Sequence, residues 1–352
     1  MKKMLVFLMA LVLAASWLGS VSRASEIYSD SPYAAQIGMQ SFNMSIAKRL
    51  ESVRLGFLDL NAASAPLFGS GDALAAPSSR AAGVKSSASR RYLDCVYNNG
   101  FTVWGDFYQT WAKQSSRDGN AGYEYRASAP AFGLDWSGGN FSIGLATTYN
   151  WGRLKSREGS ERLKARSWDT TLYGQYNVEK FYVSGELSYG YNRYKGTGAG
   201  AWANIGSASY HSNSFNLDVE FGMKFNFRDL LVTPHAGMRL FTDRRDEIGN
   251  AGRQSYYSWE TPLGVNLAYA VRAGGALIVP RIQAAWIPEL ARRRARWGTN
   301  WQAPRHARNG FLLGAGIEAK ITKQLSGHID YTANFRKHAN EHHWNFGVGF
   351  TF

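Results

Sequence analysis

Phe215-Asn216-Leu217-Asp218-Val219-Glu220-Phe221-Gly222-Met223-Lys224-Phe225-Asn226-Phe227 is the stretch that decides the fold. Phe215, Leu217, Val219, Phe221, Met223, Phe225 and Phe227 share one face of an extended chain. Asn216, Asp218, Glu220, Lys224 and Asn226 share the other, with Gly222 among them. Successive side chains of a strand point to opposite faces, so strict alternation reads as β-structure. The run is long enough to cross a bilayer obliquely, whereas the strands of soluble sandwiches are usually shorter. Its apolar face can meet lipid while its charged face meets a wet lumen.

The pattern repeats. Phe181, Val183, Leu187, Tyr189 and Tyr191 oppose Ser184, Glu186, Ser188 and Asn192. Val232, Pro234, Ala236, Met238 and Leu240 oppose Thr233, His235 and Arg239. Ile278, Pro280, Ile282, Ala284 and Trp286 oppose Arg281 and Gln283, and Ile329, Tyr331, Ala333 and Phe335 oppose His328, Asp330, Thr332, Asn334 and Arg336. Such segments number about twelve, an even count as bacterial outer-membrane barrels require. Pro234 and Pro280 each remove a ladder donor and predict a bulge or a strand end.

The connections alternate in length. Short ones fall near Ser137–Asn140, Val178–Lys180, Phe227–Leu230, Arg272–Gly275 and Thr322–Gln324; long polar ones fall near Arg153–Arg166, Lys195–Ser207, Asp243–Gln254 and Pro288–Ala307. Short periplasmic turns and long outer loops are the asymmetry of a transmembrane barrel. The chain closes on Trp344, Phe346, Val348, Phe350 and Phe352, one apolar face ending in an aromatic residue. Termini fray in water, so a fully apolar last strand is better explained by pairing with the first to close the sheet.

The N-terminus predicts export. Lys2 and Lys3 precede an apolar run from Leu5 to about Leu18, and Ser22 and Ala24 occupy small-residue positions before a cut after Ala24. This is the layout of a cleavable signal peptide over residues 1–24, and the run is short for a spanning helix. No other long apolar run follows, and the mean hydropathy is −0.33. A water-soluble exported protein and a β-barrel both survive that test; 14% aromatics and 37 glycines favour the barrel, with its aromatic girdles. The lone cysteine, Cys95, can make no intrachain disulfide and reads as a small half-buried residue ahead of the first strand.

The mature chain divides at about residue 90. In residues 25–90, the stretch at about 33–57 reads as a helix, with Phe42, Ile46, Leu50, Val53 and Phe57 at helical spacing and Lys48, Arg49, Glu51 and Arg54 on the other faces. Asn61 to Ser89, rich in Ala, Ser, Gly and Pro, reads as a flexible linker. Residues 91–352 carry the strands.

Several stretches resemble the autotransporter β-domain family: Val103-Trp104-Gly105-Asp106-Phe107, Phe132-Gly133-Leu134-Asp135, Thr171-Leu172-Tyr173-Gly174-Gln175-Tyr176, Gly185-Glu186-Leu187-Ser188-Tyr189-Gly190-Tyr191 and Gly314-Ala315-Gly316-Ile317-Glu318. Together they span roughly residues 90–352. The aromatic-terminated last strand likewise resembles the signal read by the outer-membrane assembly machinery, which would make Trp344, Phe346, Val348, Phe350 and Phe352 the recognised residues. The resemblance implies an outer-membrane translocator: a twelve-stranded antiparallel transmembrane barrel, all-β, whose pore holds an N-terminal helix carrying Phe42, Ile46, Arg49, Leu50 and Arg54. A basic helix suits a lumen lined by carboxylates. The pore-lining candidates are Glu186, Asp218, Glu220, Glu318 and Asp330, with the cations Arg239 and Arg281. Arg49 or Arg54 is expected to pair with some of these acids; equally, the acids can hydrate the lumen or pair with Arg239 and Arg281.

The sequence departs from the family in its short N-terminal segment, which holds no solenoid repeat of a large passenger. Some members cut their passenger inside the pore, and the cleavage motif has no match here, so no catalytic residue carries over.

The formal net charge is +14. Arg292, Arg293, Arg294 and Arg296, with Trp297 and Trp301, form the strongest basic cluster. It is expected either to contact lipopolysaccharide phosphates or to be a solvated loop. Nucleic acid is excluded as a partner by compartment and by the lack of a binding motif. Ser209, His211 and Asn213 share a face and His342, His343 and Glu341 are adjacent, but neither group completes a nucleophile–base or metal constellation. No cofactor, metal or enzymatic activity is expected. The expected partners are outer-membrane lipids, lipopolysaccharide and the assembly machinery. Two functions remain: a translocator passing an N-terminal segment to the surface, or a plugged, adhesive barrel acting through its outer loops.

Overall fold

The computed structural model describes residues 31–55, 99–116, 122–157, 162–197, 209–227, 229–246, 253–273, 276–293, 296–297, 301–302, 307–322 and 324–352. The expected signal peptide, the linker and Cys95 lie outside the described residues, as does Arg294. Among the described residues one helix, α1 (Ser31–Leu55), precedes the strands. Twelve antiparallel strands follow: β1 (Asn99–Gln114), β2 (Tyr123–Gly138), β3 (Phe141–Ser156), β4 (Arg162–Val178), β5 (Phe181–Thr197), β6 (Ser209–Met223, resuming as Phe225–Phe227), β7 (Leu230–Arg245), β8 (Gln254–Glu260, Leu263–Tyr269 and Val271–Ala273), β9 (Ala276–Arg293), β10 (Asn309–Lys320), β11 (Leu325–Arg336) and β12 (Ala339–Thr351).

Each strand pairs with its neighbours in sequence, and β12 returns to β1 with Thr351 opposite Thr102 and Ala339 opposite Gln114. The sheet is therefore closed and has no free edge. Beyond the last ladder residue, the backbone N–H of Phe352 donates to the carbonyl of Phe101 at 2.9 Å. Gly100 makes room there: it adopts φ 137°, and a Cβ on it would stand 2.5 Å from the Phe352 carbonyl oxygen.

The barrel is inside-out relative to a soluble protein. Its outer face exposes Phe132, Leu145, Leu172, Ile282, Leu313 and Val348. Its interior buries Asp106, Thr110, Asp135, Gln175, Asn216 and Thr332. An apolar belt of that extent is untenable in water and is natural in lipid. Trp136, Phe141, Tyr176 and Phe181 ring the end with the short turns; Tyr149, Trp151, Trp168 and Tyr191 ring the other. Between Phe141 and Trp151, β3 advances about 33 Å; at a tilt of about 40° that covers roughly 25 Å along the membrane normal, the height of an outer-membrane barrel's apolar band. Among the described residues, no helix is long and apolar enough to cross a membrane.

The prolines mark irregular places. By the register on either side, Pro234 falls opposite Met223, next to the interruption of β6 at Lys224, and Pro280 opposite Tyr269, next to the interruption of β8 at Ala270. In both cases the missing N–H leaves the neighbouring strand without a ladder partner.

The long connections are shorter than the sequence pattern suggests. β3 runs on to Ser156 and β4 starts at Arg162, so much of Arg153–Arg166 is strand. β5 reaches Thr197, β7 reaches Arg245 and β9 reaches Arg293. These extensions carry charged residues outward, which masks their strand character, while Leu154, Leu163, Tyr194 and Tyr210 pack inward.

Candidate functional site: the pore and its helix

α1 lies inside the barrel. Phe42, Ile46 and Leu50 form its apolar stripe and bury against Trp104 and Tyr108 of β1, Ala129 and Ala131 of β2, Ala146 of β3 and Tyr173 of β4. The sequence left Trp104 and Tyr108 competing with Val103 and Phe107 for the lipid face. The structure decides: Trp104 and Tyr108 are 4% and 1% exposed inside, while Val103 and Phe107 are 49% and 38% exposed outside.

Space for the helix comes from glycines facing flat aromatic rings. Trp104 lies across Gly133 and Tyr173 across Gly144, each pair directly opposite in register. A Cβ on either glycine would fall 2.3 Å from the ring. The Trp104 indole N–H donates to the Tyr173 hydroxyl at 2.8 Å, which in turn donates to Asp135 at 3.0 Å.

Polar ties fix the helix along its length. Near its start, Gln36 Oε1 accepts from the Tyr256 hydroxyl at 2.9 Å. One turn on, Ser41 Oγ sits 2.8 Å from Thr110 Oγ1 and 3.0 Å from His343 Nδ1; Ser45 Oγ accepts from Asn345 Nδ2 at 2.6 Å. Both serines therefore touch β1 and β12 or the seam between them. Asn43 Oδ1 accepts from Ser188 at 3.0 Å. Arg49 grips Asp135 with two bonds, and near the C-terminal end Arg54 Nη1 stands 3.1 Å from Glu220 Oε1 and 3.0 Å from the Tyr182 hydroxyl. The Arg54 guanidinium also lies 4.0 Å above the Tyr182 ring.

All the pore-lining candidates face the lumen, in two groups. Arg281 bonds Asp330 at 2.7 Å and Glu318 at 3.3 Å, with Glu51 of α1 at 3.8 Å. Arg239 bonds Asp218 at 2.7 Å, and Glu186 is buried nearby. Of the two pairings left open by the sequence, both occur: Arg54 takes Glu220 from the wall, while Asp218, Glu318 and Asp330 are held by wall arginines. Arg49 takes an acid the sequence reading passed over, Asp135. Its parity gives it away, because Gly133 and Asp135 alternate with the lipid-facing Phe132 and Leu134.

On the far side of α1 a cleft remains, lined by Met44 and Ala47 of the helix and by Glu186, Asp218, Arg239 and Asn266 of the wall. Met44 and Ala47 are less buried than Phe42, Ile46 and Leu50 on the wall side.

Of the four arginines of the basic cluster, the described side chain is that of Arg292. A register shift between Glu289 and Ala291 turns Arg292 inward, where its guanidinium is clasped by Glu289 and is 2% exposed. Arg292 therefore faces away from lipid. Arg293 pairs with Tyr257 in the ladder, and Arg296 belongs to a two-residue ribbon with Gln302. His211 stacks on Tyr191 and shares a 2.7 Å bond with its hydroxyl; His342 does the same with Tyr331. Among the described residues, no cluster of three or more His, Cys, Asp or Glu side chains could hold a metal. The residues of the terminal face, Trp344, Phe346, Val348, Phe350 and Phe352, all point outward from β12 and its end.

A closed twelve-stranded barrel with an apolar belt and an internal helix is an outer-membrane protein. The chain belongs to the autotransporter β-domain family, whose model matches residues 103–332. It is similar to "Probable autotransporter YpjA" of Escherichia coli K12, 28% identical over 249 residues, covering 66% of this chain and 16% of that protein. It is also similar to "Outer membrane protein B" of Rickettsia japonica, 22% identical over 284 residues, covering 71% of this chain and 17% of that protein. The chain thus spans about one sixth of the length of the curated relatives it matches. Its fold is that of the translocator domain of autotransporter NalP from Neisseria meningitidis, with a TM-score of 0.60 at 16% identity, covering 76% of this chain and 96% of that one. The transport unit of the autotransporter AIDA-I from Escherichia coli aligns with a TM-score of 0.60 at 16% identity, covering 71% and 90%.

Proposed function

We propose that the barrel conveys the segment N-terminal to α1 to the cell surface and then holds α1 in the pore. The observation that carries this reading is the direction of the helix. Ala34 and Ala35 pack with Tyr123, Leu154, Leu163, Tyr194 and Tyr210, at the end of the barrel away from the short turns. Arg54 sits beside Gln175 and Tyr182, next to the short turn between β4 and β5. β1 also begins at that end, with Asn99 opposite Gly138. Short turns belong to the periplasmic side, so the chain enters α1 from the outer mouth and leaves it at the inner one. A plugged adhesin needs no such polarity. The work is transport without chemistry, and the acids Asp218, Glu220, Glu318 and Asp330 serve to hold Arg239, Arg54 and Arg281.

The test is surface labelling on intact cells of an epitope inserted near Ser29, with a second epitope between Arg157 and Glu161 as the loop control. Labelling of both supports the translocator. Labelling of the loop epitope alone overturns it.

A further inference from the structure

We propose that the outer rim of β2–β5 is a binding face for the phosphate groups of an anionic glycolipid in the outer leaflet. On the outward face of these four strands, Arg126 stands opposite Arg153, Arg153 opposite Lys164, and Lys164 opposite Lys195. One rung of the ladder thus carries four cations side by side. In the rung below, Arg166 stands opposite Arg193. All six side chains are exposed. Among the described residues, no ion pair neutralises any of them.

Like charges directly opposite in a sheet destabilise it. A rim that merely meets water has an easy remedy, and an adjacent pair uses it: Lys113 of β1 stands opposite Glu124 of β2 at 3.6 Å. The six-cation patch lacks that remedy, which points to an external anion. Residues directly opposite in one rung have their Cβ atoms about 5 Å apart, a spacing that lets two neighbouring cations share one phosphate, with Arg supplying paired donors. The patch is also held rigid from behind, because Tyr125, Leu154, Leu163 and Tyr194 bury beneath it inside the barrel.

The height of the patch selects a lipid over a soluble anion. Trp151 shares the Arg166 rung, and Tyr149, Trp168 and Tyr191 form the next one toward the membrane. Aromatic residues of this kind mark the headgroup level. Below them the exposed Leu145, Leu172 and Leu187 continue the same face, offering a surface for acyl chains. This face is separate from the arginine cluster near residue 292.

The test uses the full chain folded in a neutral detergent and mixed with lipid A carrying two phosphates, with dephosphorylated lipid A, or with sodium pyrophosphate. Bound lipid is counted by native mass spectrometry, and the thermal unfolding midpoint is read in parallel. The variants are Arg153→Gln with Lys164→Gln, and a second pair, Arg126→Gln with Lys195→Gln, should the first fold poorly. Lys180→Gln, at the opposite rim, is the control. Wild type and control are expected to retain phosphorylated lipid A, and the double variants to bind it about tenfold more weakly. The midpoints should cross: without lipid the double variant melts higher, since repulsion is relieved, and with phosphorylated lipid A wild type melts higher. Equal retention by wild type and double variant overturns the proposal. So does equal binding of dephosphorylated lipid A, which means acyl contact alone, or an equal shift with pyrophosphate, which means a soluble-anion site.

Discussion

Arg49 and Asp135 face each other as a fork and its match: Nε donates to Oδ2 at 2.7 Å and Nη2 to Oδ1 at 2.8 Å. The pair joins the pore helix to the second strand of the wall, and its side chains are only 14% and 2% exposed. A bidentate geometry of this kind gives position as well as energy. Removing one partner of a buried pair typically costs about 3–5 kcal/mol. Here the Tyr173 hydroxyl still serves Asp135 and Arg49 keeps some solvent, so Arg49→Ala should cost about 2 kcal/mol. Asp135→Asn should cost a similar amount, and the double substitution much less than the sum. Urea unfolding of the refolded barrel measures all three; strict additivity would show that the two residues do not interact.

The ring of Trp104 lying over Gly133 predicts a different kind of failure. Gly133→Val places a branched side chain where the indole now lies and pushes Trp104 toward Phe42, Ile46 and Leu50. Overpacking of this sort costs about 1–3 kcal/mol. The loss should fall on the helix more than on the sheet, so α1 becomes cleavable by added protease while the barrel still migrates as a folded species on a cold gel. Adding Trp104→Ala should restore the protection. If the double variant is no better protected, the glycine's role as a seat for the ring is wrong.

The barrel was legible from the sequence because period-two patterning survives in single strands such as Phe215–Phe227, and because Pro234 and Pro280 announce their own irregularities. The lengths of the strands were not, since beyond the membrane the outward residues turn from apolar to basic, as at Arg153 and Lys164, and the pattern then looks like loop. The helix was legible from Phe42, Ile46 and Leu50. Its partners were only half so. Glu220 could be found by parity along β6, but Asp135 is flanked by Leu134 and Trp136 and has no second charge on its strand face nearby to mark it as lumenal. Arg292 could not be placed at all without the register shift after Glu289, because one extra residue moves every later side chain to the opposite face.

The cleft beside α1 makes a prediction about access. Ala47 is exposed toward it, while Ser45 is fully enclosed by Asn345 and the seam. With Cys95→Ser as background, Ala47→Cys should react with a small water-soluble thiol reagent roughly ten times faster than Ser45→Cys, since thiol reactivity follows access. Equal rates at the two positions would mean that the helix rotates or leaves the pore, and the cleft would then not be a fixed feature.

Closure of the barrel separates speed of assembly from final stability. Phe352 contributes one backbone hydrogen bond to Phe101 and an edge-on contact with the Phe350 ring at 5.0 Å, and its side chain is 71% exposed outward. Deleting it should therefore lower equilibrium stability in detergent by only about 1 kcal/mol. The aromatic face from Trp344 to Phe352 would nonetheless be shortened at the end proposed to be read by the assembly machinery. In cells the deletion should reduce the folded protein in the outer membrane several-fold, whereas refolding of the purified chain into detergent should proceed to nearly the same yield. Comparing the heat-modifiable band from the two sources separates the alternatives. A matched loss in cells and in detergent would assign Phe352 a purely structural role in holding β12 against β1; a loss confined to cells would assign it to recognition.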